Sequence, residues 1–126
     1  MSADTVRSRR ARRHVVCSVD ALPAGGRLIV EVEGRSIGVF NVAGRLYALH
    51  NRCPHKRGAL CEGPITGTVL PTPDRDFRYG RDGEIVRCAG HGWEFDIRTG
   101  EAIADPRVRA RTYPVEVDGD DVVVIV

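Results

Sequence analysis

The 126-residue chain lacks the marks of a membrane or exported protein. No apolar run approaches the roughly 18 residues of a membrane span; the longest is the closing VVVIV of residues 122–126. An export signal needs about 7–15 apolar residues behind its positive charges. Here the segment after the arginines, HVVCSVDALPAGG, is broken by Ser18, Asp20, Pro23 and two glycines. The chain is therefore expected to be cytoplasmic. Internal repeats and low-complexity tracts are missing, and no window of 11 or more residues follows a 3.6 period, so helices should be short or absent. A basic patch interleaved with aromatics, the footprint of a nucleic-acid binder, is also missing from the body of the chain.

What is present fits one globular domain. The length suffices to bury a core without staples, and 42% hydrophobic with 29% charged residues is an ordinary soluble balance. The net charge is only +2 and unevenly placed. Residues 1–13 carry Arg7, Arg9, Arg10, Arg12 and Arg13 against Asp4, so the body is mildly acidic and the basic character belongs to the tail. That tail, 1–13, reads as a solvated, frayed terminus, with an acidic partner as the functional alternative. The domain is expected over 14–126.

Strand signals run almost throughout. HVVCSVDAL, RLIVEVEG, SIGVFNVAG and RLYALHN are short, rich in Val, Ile, Leu and aromatics, and parted by glycine turns. Residues 28–42 and 45–49 predict a meander with its turn at Val42-Ala43-Gly44-Arg45. EIVRC and WEFDI follow, then a hairpin around Thr99-Gly100. TYPVEVDGDDVVVIV predicts two strands joined at Asp118-Gly119. Residues 62–83, with three of the seven prolines and four glycines, read as a long excursion.

Four cysteines stand at 17, 53, 61 and 88. Without an export signal their spacing points to metal or redox chemistry rather than a disulfide framework. Two sit beside histidines: Cys53 and His55 in CPHKRG, Cys88 and His91 in CAGHGW. Both stretches fall between predicted strands, where two loops could turn two thiolates and two imidazoles onto one centre. Gly58, Gly90 and Gly92 permit the tight backbone such wrapping needs, and Pro54 stiffens the first loop. Zinc is one candidate, since tetrahedral Cys₂His₂ sites are common. Structural zinc sites usually pair like ligands within a loop, whereas here each loop supplies one Cys and one His. That mixture suits two metal atoms, one iron taking both cysteines and the other both histidines.

CPH at 53–55 and CAGHGWEFD at 88–96, followed by DIRTGEA, resemble the two cluster-binding boxes of Rieske-type ferredoxins and of the ferredoxin-like domains of Rieske oxygenases. The resemblance implies a small all-β fold, an antiparallel sandwich or barrel carrying a cluster-binding subdomain of two hairpin loops, 51–60 and 87–96. It implies one [2Fe–2S] cluster. Cys53 and Cys88 would ligate the inner iron, and His55 and His91 the outer one; Pro106 would belong to a covering loop.

The departures from the family's respiratory branch matter equally. That branch joins its loops by a disulfide, but here Cys61 lies eight residues after Cys53, and Ala89 and Gly90 occupy the place of its partner. Where that branch has serine and tyrosine hydroxyls bonded to sulfur, this chain has Trp93 and Phe95. No disulfide is expected. Hydrogen bonds to the sulfurs raise the potential, so it should lie low in the class range of about −150 to +300 mV, near −150 to −50 mV. His55 and Cys88 are also further apart than in small oxygenase ferredoxins, the surplus being the 62–83 excursion.

Other candidates have plain structural roles. Cys17 reads as a small buried hydrophobe, Cys61 as packing beneath the cluster, His50 as a hydrogen-bonded structural histidine, His14 as exposed, and Trp93 as a hydrophobic cover. Arg52, Lys56 and Arg57 flank the first box; solvation is their default, with steering of an acidic partner as the functional alternative. Four protein ligands leave no open position for substrate. A separate mononuclear iron would need a two-His, one-carboxylate triad, and only His14 and His50 remain. The chain is therefore expected to be no enzyme alone but an electron carrier between a reductase and a terminal oxygenase. The alternatives are a small subunit of a nitrite-reductase-like enzyme and a zinc-held interaction module.

Overall fold

The protein is represented by a computed structural model that describes residues 11–54, 58–70, 78–88 and 92–126, without the side chains of 69, 70, 78 and 79. Ten strands follow in order: β1 (Arg13–Ser18), β2 (Arg27–Val32), β3 (Arg35–Val42), β4 (Arg45–His50), β5 (Ile65–Leu70), β6 (Arg78–Arg87), β7 (Glu94–Asp96), β8 (Thr112–Tyr113), β9 (Val115–Asp118) and β10 (Asp121–Ile125). Among the described residues the only helical pieces are single 3₁₀ turns at Val19–Ala21 and Leu60–Glu62. None is long and apolar enough to cross a membrane. Among the described residues all pairings are antiparallel, in three sheets ordered β1-β10-β9, β2-β3-β4-β8 and β5-β6-β7.

The predicted meander is the middle sheet. Val42 pairs with Arg45 across Ala43 (φ 53) and Gly44 (φ 94). Glu33 (φ 50) and Gly34 (φ 77) make the preceding turn. Two successive positive-φ residues give the turn twist that matches antiparallel strands. The sheet's side chains alternate between two cores. Ile37, Val39 and Ala48 join Val122 and Val124 of β10 in one buried cluster. Phe40 and Leu49 join Val86 and Phe95 of the β5-β6-β7 sheet in the other. Residues 37–40 of β3 are consequently buried without interruption. A one-residue slip would exchange the two faces, and a buried Phe or Leu side chain is worth about 1.5–3 kcal/mol, so the register is strongly held.

Two expectations are corrected here. The basic tail was drawn to residue 13, but Arg12 exchanges two backbone hydrogen bonds with Val126 (2.9 and 3.0 Å) and Arg13 opens β1. Their alternation with the C-terminal strand draws them into the sheet; residues 1–10 lie outside the described residues. The described part of the 62–83 segment is largely strand: β5 pairs with β6 from Ile65↔Val86 to Leu70↔Arg78. Its prolines and glycines hid the pairing because the register shifts between Thr66 and Thr68, extruding Arg81–Glu84, with Arg81 (φ 55) and Gly83 (φ 81) left-handed. Residues 71–77 lie outside the described residues.

Candidate metal centre

The first loop leaves β4 and is closed at its root. The Cys53 N–H donates to the Gly58 carbonyl (2.9 Å), and the Cys61 N–H donates to Asn51 Oδ1 (2.7 Å). Asn51 Nδ2 donates to Ser36 Oγ (3.0 Å) and Glu62 Oε2 (3.2 Å). From β2, the Arg27 guanidinium donates to the carbonyls of Cys61 (2.9 Å) and Gly63. One amide and one guanidinium thus hold both feet of the loop. Sequence reading missed both residues. Asn51 had a signal, a turn-favouring residue at the strand end before the first box; Arg27, 26 positions away from Cys53, had none.

The second loop leaves β6 after Arg87, which pairs with Glu94 of β7. The Cys88 N–H donates to the Trp93 carbonyl and the Gly92 N–H to the Cys88 carbonyl, each at 2.9 Å. Gly92 has φ 70, a conformation costly for other residues. The strand beyond is fixed by charge. Buried Asp96 accepts from Arg81, from Arg98 Nε at 3.5 Å and from the Arg98 N–H at 2.9 Å. Glu84 accepts from Arg81 Nε at 3.2 Å and Arg98 Nη2 at 3.1 Å. The extruded turn of β6 brings Arg81 and Glu84 into this group.

Cys53 and Cys88 meet in one buried cluster with Leu60, Cys61 and Phe95, and are 3% and 0% exposed. Trp93 and Val108 pack against that cluster, and Trp93 lies tilted on Phe95 at 6.5 Å between centroids, the expected cover. Pro106 sits in the exposed turn that Val108 closes on Asp105 (2.9 Å). His55 and His91, with Lys56, Arg57, Ala89 and Gly90, lie outside the described residues. Among the described residues no three His, Cys, Asp or Glu side chains gather around a metal position.

The remaining expectations divide. No disulfide joins the four cysteines. Cys61 is fully buried against Gly38, its Sγ donating toward the Leu49 carbonyl (3.5 Å), and burial pushes its thiol up to about 12. A thiol held neutral to that degree is inert. His50 is structural as expected: Nδ1 meets the Tyr113 hydroxyl at 3.3 Å. Its pKa is lowered by burial and then by the charges of Arg111, Arg35 and Arg52. Cys17 is half-buried rather than buried, because β1 is an edge strand. His14 is corrected from exposed to partly covered, with Nε2 3.0 Å from Glu33 Oε2.

The donor set suits a soft metal group. Two thiols from loops that each close on their own backbone belong to one buried, largely apolar cluster, unconsumed by a disulfide. A buried thiolate requires a cation to offset its desolvation, and iron supplies one.

A family model described as the Rieske [2Fe-2S] domain matches residues 12–118. The chain belongs to that family. Its prosthetic group is a [2Fe–2S] cluster, and its work is electron transfer. The zinc-held alternative falls with that membership. The biphenyl dioxygenase ferredoxin subunit of Pseudomonas sp. strain KKS102 is 31% identical over 109 residues, 86% of each chain. A chain in the solved complex of reduced oxygenase and oxidized ferredoxin in carbazole 1,9a-dioxygenase is 25% identical with a TM-score of 0.70, covering 89% of this chain and 91% of that one. A putative NADH-dependent nitrite reductase small subunit from Mycobacterium tuberculosis is 22% identical with a TM-score of 0.68, covering 92% and 96%. This last likeness speaks to the fold alone.

Proposed function

We propose that the chain is the ferredoxin of an oxygenase system, working in the cytoplasm: it accepts one electron at a time from a reductase and delivers it to a terminal oxygenase. Cys53 and Cys88 hold one iron of the cluster and His55 and His91 the other, within loops 51–60 and 87–96 of a domain that begins at Arg12 rather than at residue 14. When bound, the cluster supplies a reversible one-electron couple without an open coordination position. The chain's own residues do the rest. Asn51 and Arg27 hold the first loop, the Arg81–Asp96–Glu84–Arg98 group holds the strand after the second, and Trp93 and Phe95 keep the thiol side dry. The observation that carries this reading is that Cys53 and Cys88, from two different loops, are buried in one cluster. The ferredoxin subunits of dioxygenases among its relatives support the choice of acceptor.

The test is chemical. The protein should carry two irons and two acid-labile sulfides per chain, lost in Cys53→Ser and Cys88→Ser. His55→Cys or His91→Cys should lower the potential toward the about −400 mV of all-cysteine centres. Wild type should titrate near −150 to −50 mV, and a value above about +100 mV would refute the oxygenase reading.

A further inference from the structure

Three strands of the middle sheet end side by side where the first loop begins. Ile37 of β3 pairs with His50 of β4, and the Asn51 N–H donates to the Ser36 carbonyl (2.9 Å), which sets Arg35 beside Arg52. On the other side of β4 the His50 N–H donates to the Arg111 carbonyl (2.8 Å). Arg35, Arg52 and Arg111 are all exposed, and among the described residues none makes an ion pair. Arg111 lies over the Tyr113 ring, 5.0 Å from its centroid, and is thereby held in place.

The nearby carboxylates do not cancel this charge. Glu62 reaches the same end only through Asn51 Nδ2, and Glu33 of the turn before Arg35 faces His14. Arg13 is matched with Glu116, Arg81 with Asp96 and Arg107 with Asp105. Arg12, Arg45 and Arg87 also make no ion pair among the described residues, and what sets Arg35, Arg52 and Arg111 apart is that strand pairing gathers them about His50. The potential they share is felt by His50, three residues before Cys53.

We propose that Arg35, Arg52 and Arg111 form a docking patch for a carboxylate-bearing surface on the redox partner, next to the point where electrons enter or leave. This rests on the proposed function and adds the chemistry of the surface recognised. Guanidinium is suited to the task because its planar fork binds carboxylate bidentately and is weakly hydrated. A patch of this kind raises encounter rates and loses its effect with salt.

The test uses the cluster-loaded protein and inorganic probes. The reduced centre gives up one electron to ferricyanide, forming ferrocyanide, or to hexaamminecobalt(III), forming the cobalt(II) complex. Arg35→Glu, and the double variant Arg35→Glu/Arg111→Glu, are compared with wild type by stopped flow. At low salt the double variant should react about 10-fold more slowly with the anion and faster with the cation, the differences closing near 1 M salt. Poly-L-glutamate should slow the wild-type reaction with ferricyanide and not that of the double variant. Intact visible spectra with unchanged rates for both probes, or equal slowing of both proteins by poly-L-glutamate, would overturn the patch and leave the carrier reading standing. Protein without iron and sulfide would overturn both. Arg35→Glu touches no cluster loop and keeps the test open if the double variant fails to fold.

Discussion

The two loops that carry the cysteines are supported in opposite ways. Behind the second, two guanidiniums are tied to β7 by ion pairs: Arg81 and Arg98 share Asp96 and Glu84. Around the first, polar side chains bind the backbone, through Asn51 and Arg27, while Arg35, Arg52 and Arg111 point their charge at solvent. The difference lies in burial. Asp96 has a side chain only 10% exposed, and a carboxylate there must be paired because desolvation is costly. A surface arginine has no such requirement, and its charge remains available to a partner.

Removing one charge from each region should break the comparison most sharply. Asp96→Ala strands Arg81 and Arg98 beside Glu84 alone, and should cost about 2–3 kcal/mol of stability in a denaturant melt. Arg35→Gln should cost no more than about 0.5 kcal/mol, as exposed substitutions do. Equal losses would mean that the first loop also depends on charge.

The first loop's own dependence is steric. A Cβ on Gly38 would stand 2.4 Å from Cys61 Cβ and 2.6 Å from its Sγ. Gly38→Ala should therefore lose about 1–3 kcal/mol. Cys61→Gly in the same chain should recover part of that loss, whereas a loss untouched by the second change would place the strain elsewhere.

The smallest effect concerns pH. Cys61 has its thiol pKa raised from an ordinary 9.0 to about 12. The unfolded chain therefore loses this proton first as pH rises. The stabilisation is complete below pH 9 and is lost progressively between about 9 and 12, at up to about 1.4 kcal/mol per unit. Cys61→Ala should flatten that slope in melts followed from pH 8 to 10.5. A slope unchanged by the substitution would assign the alkaline loss to other groups.

Much of this was legible in the chain itself. Alternating Val, Ile and Leu with glycine turns specified an all-β domain, and the Val42–Arg45 and Asp118–Asp121 turns fell where the paired glycine signals put them. The boxes around Cys53 and Cys88 were legible because their spacing is local, and both cysteines fall in one buried cluster. The 62–83 hairpin was illegible, since its pairing depends on an extruded turn that spoils the period of two.

Sequence by itself determined which residue types cluster near one another along the chain: two cysteine–histidine loops, strands of given phase, and a cysteine too far from any partner in the inferred loops to bridge them. Only the tertiary structure decided what lies across the sheets. It set Arg27 under Gly63, Asp96 between Arg81 and Arg98, Gly38 against Cys61, and Arg35 and Arg111 on either side of His50 and Arg52. Apart from the local Asp96–Arg98 pair, these contacts join residues 15 to 61 positions apart, so no local spacing encodes them. They follow from strand register, which is held by the burial of Phe40, Leu49, Ile37 and Val39 on two faces at once.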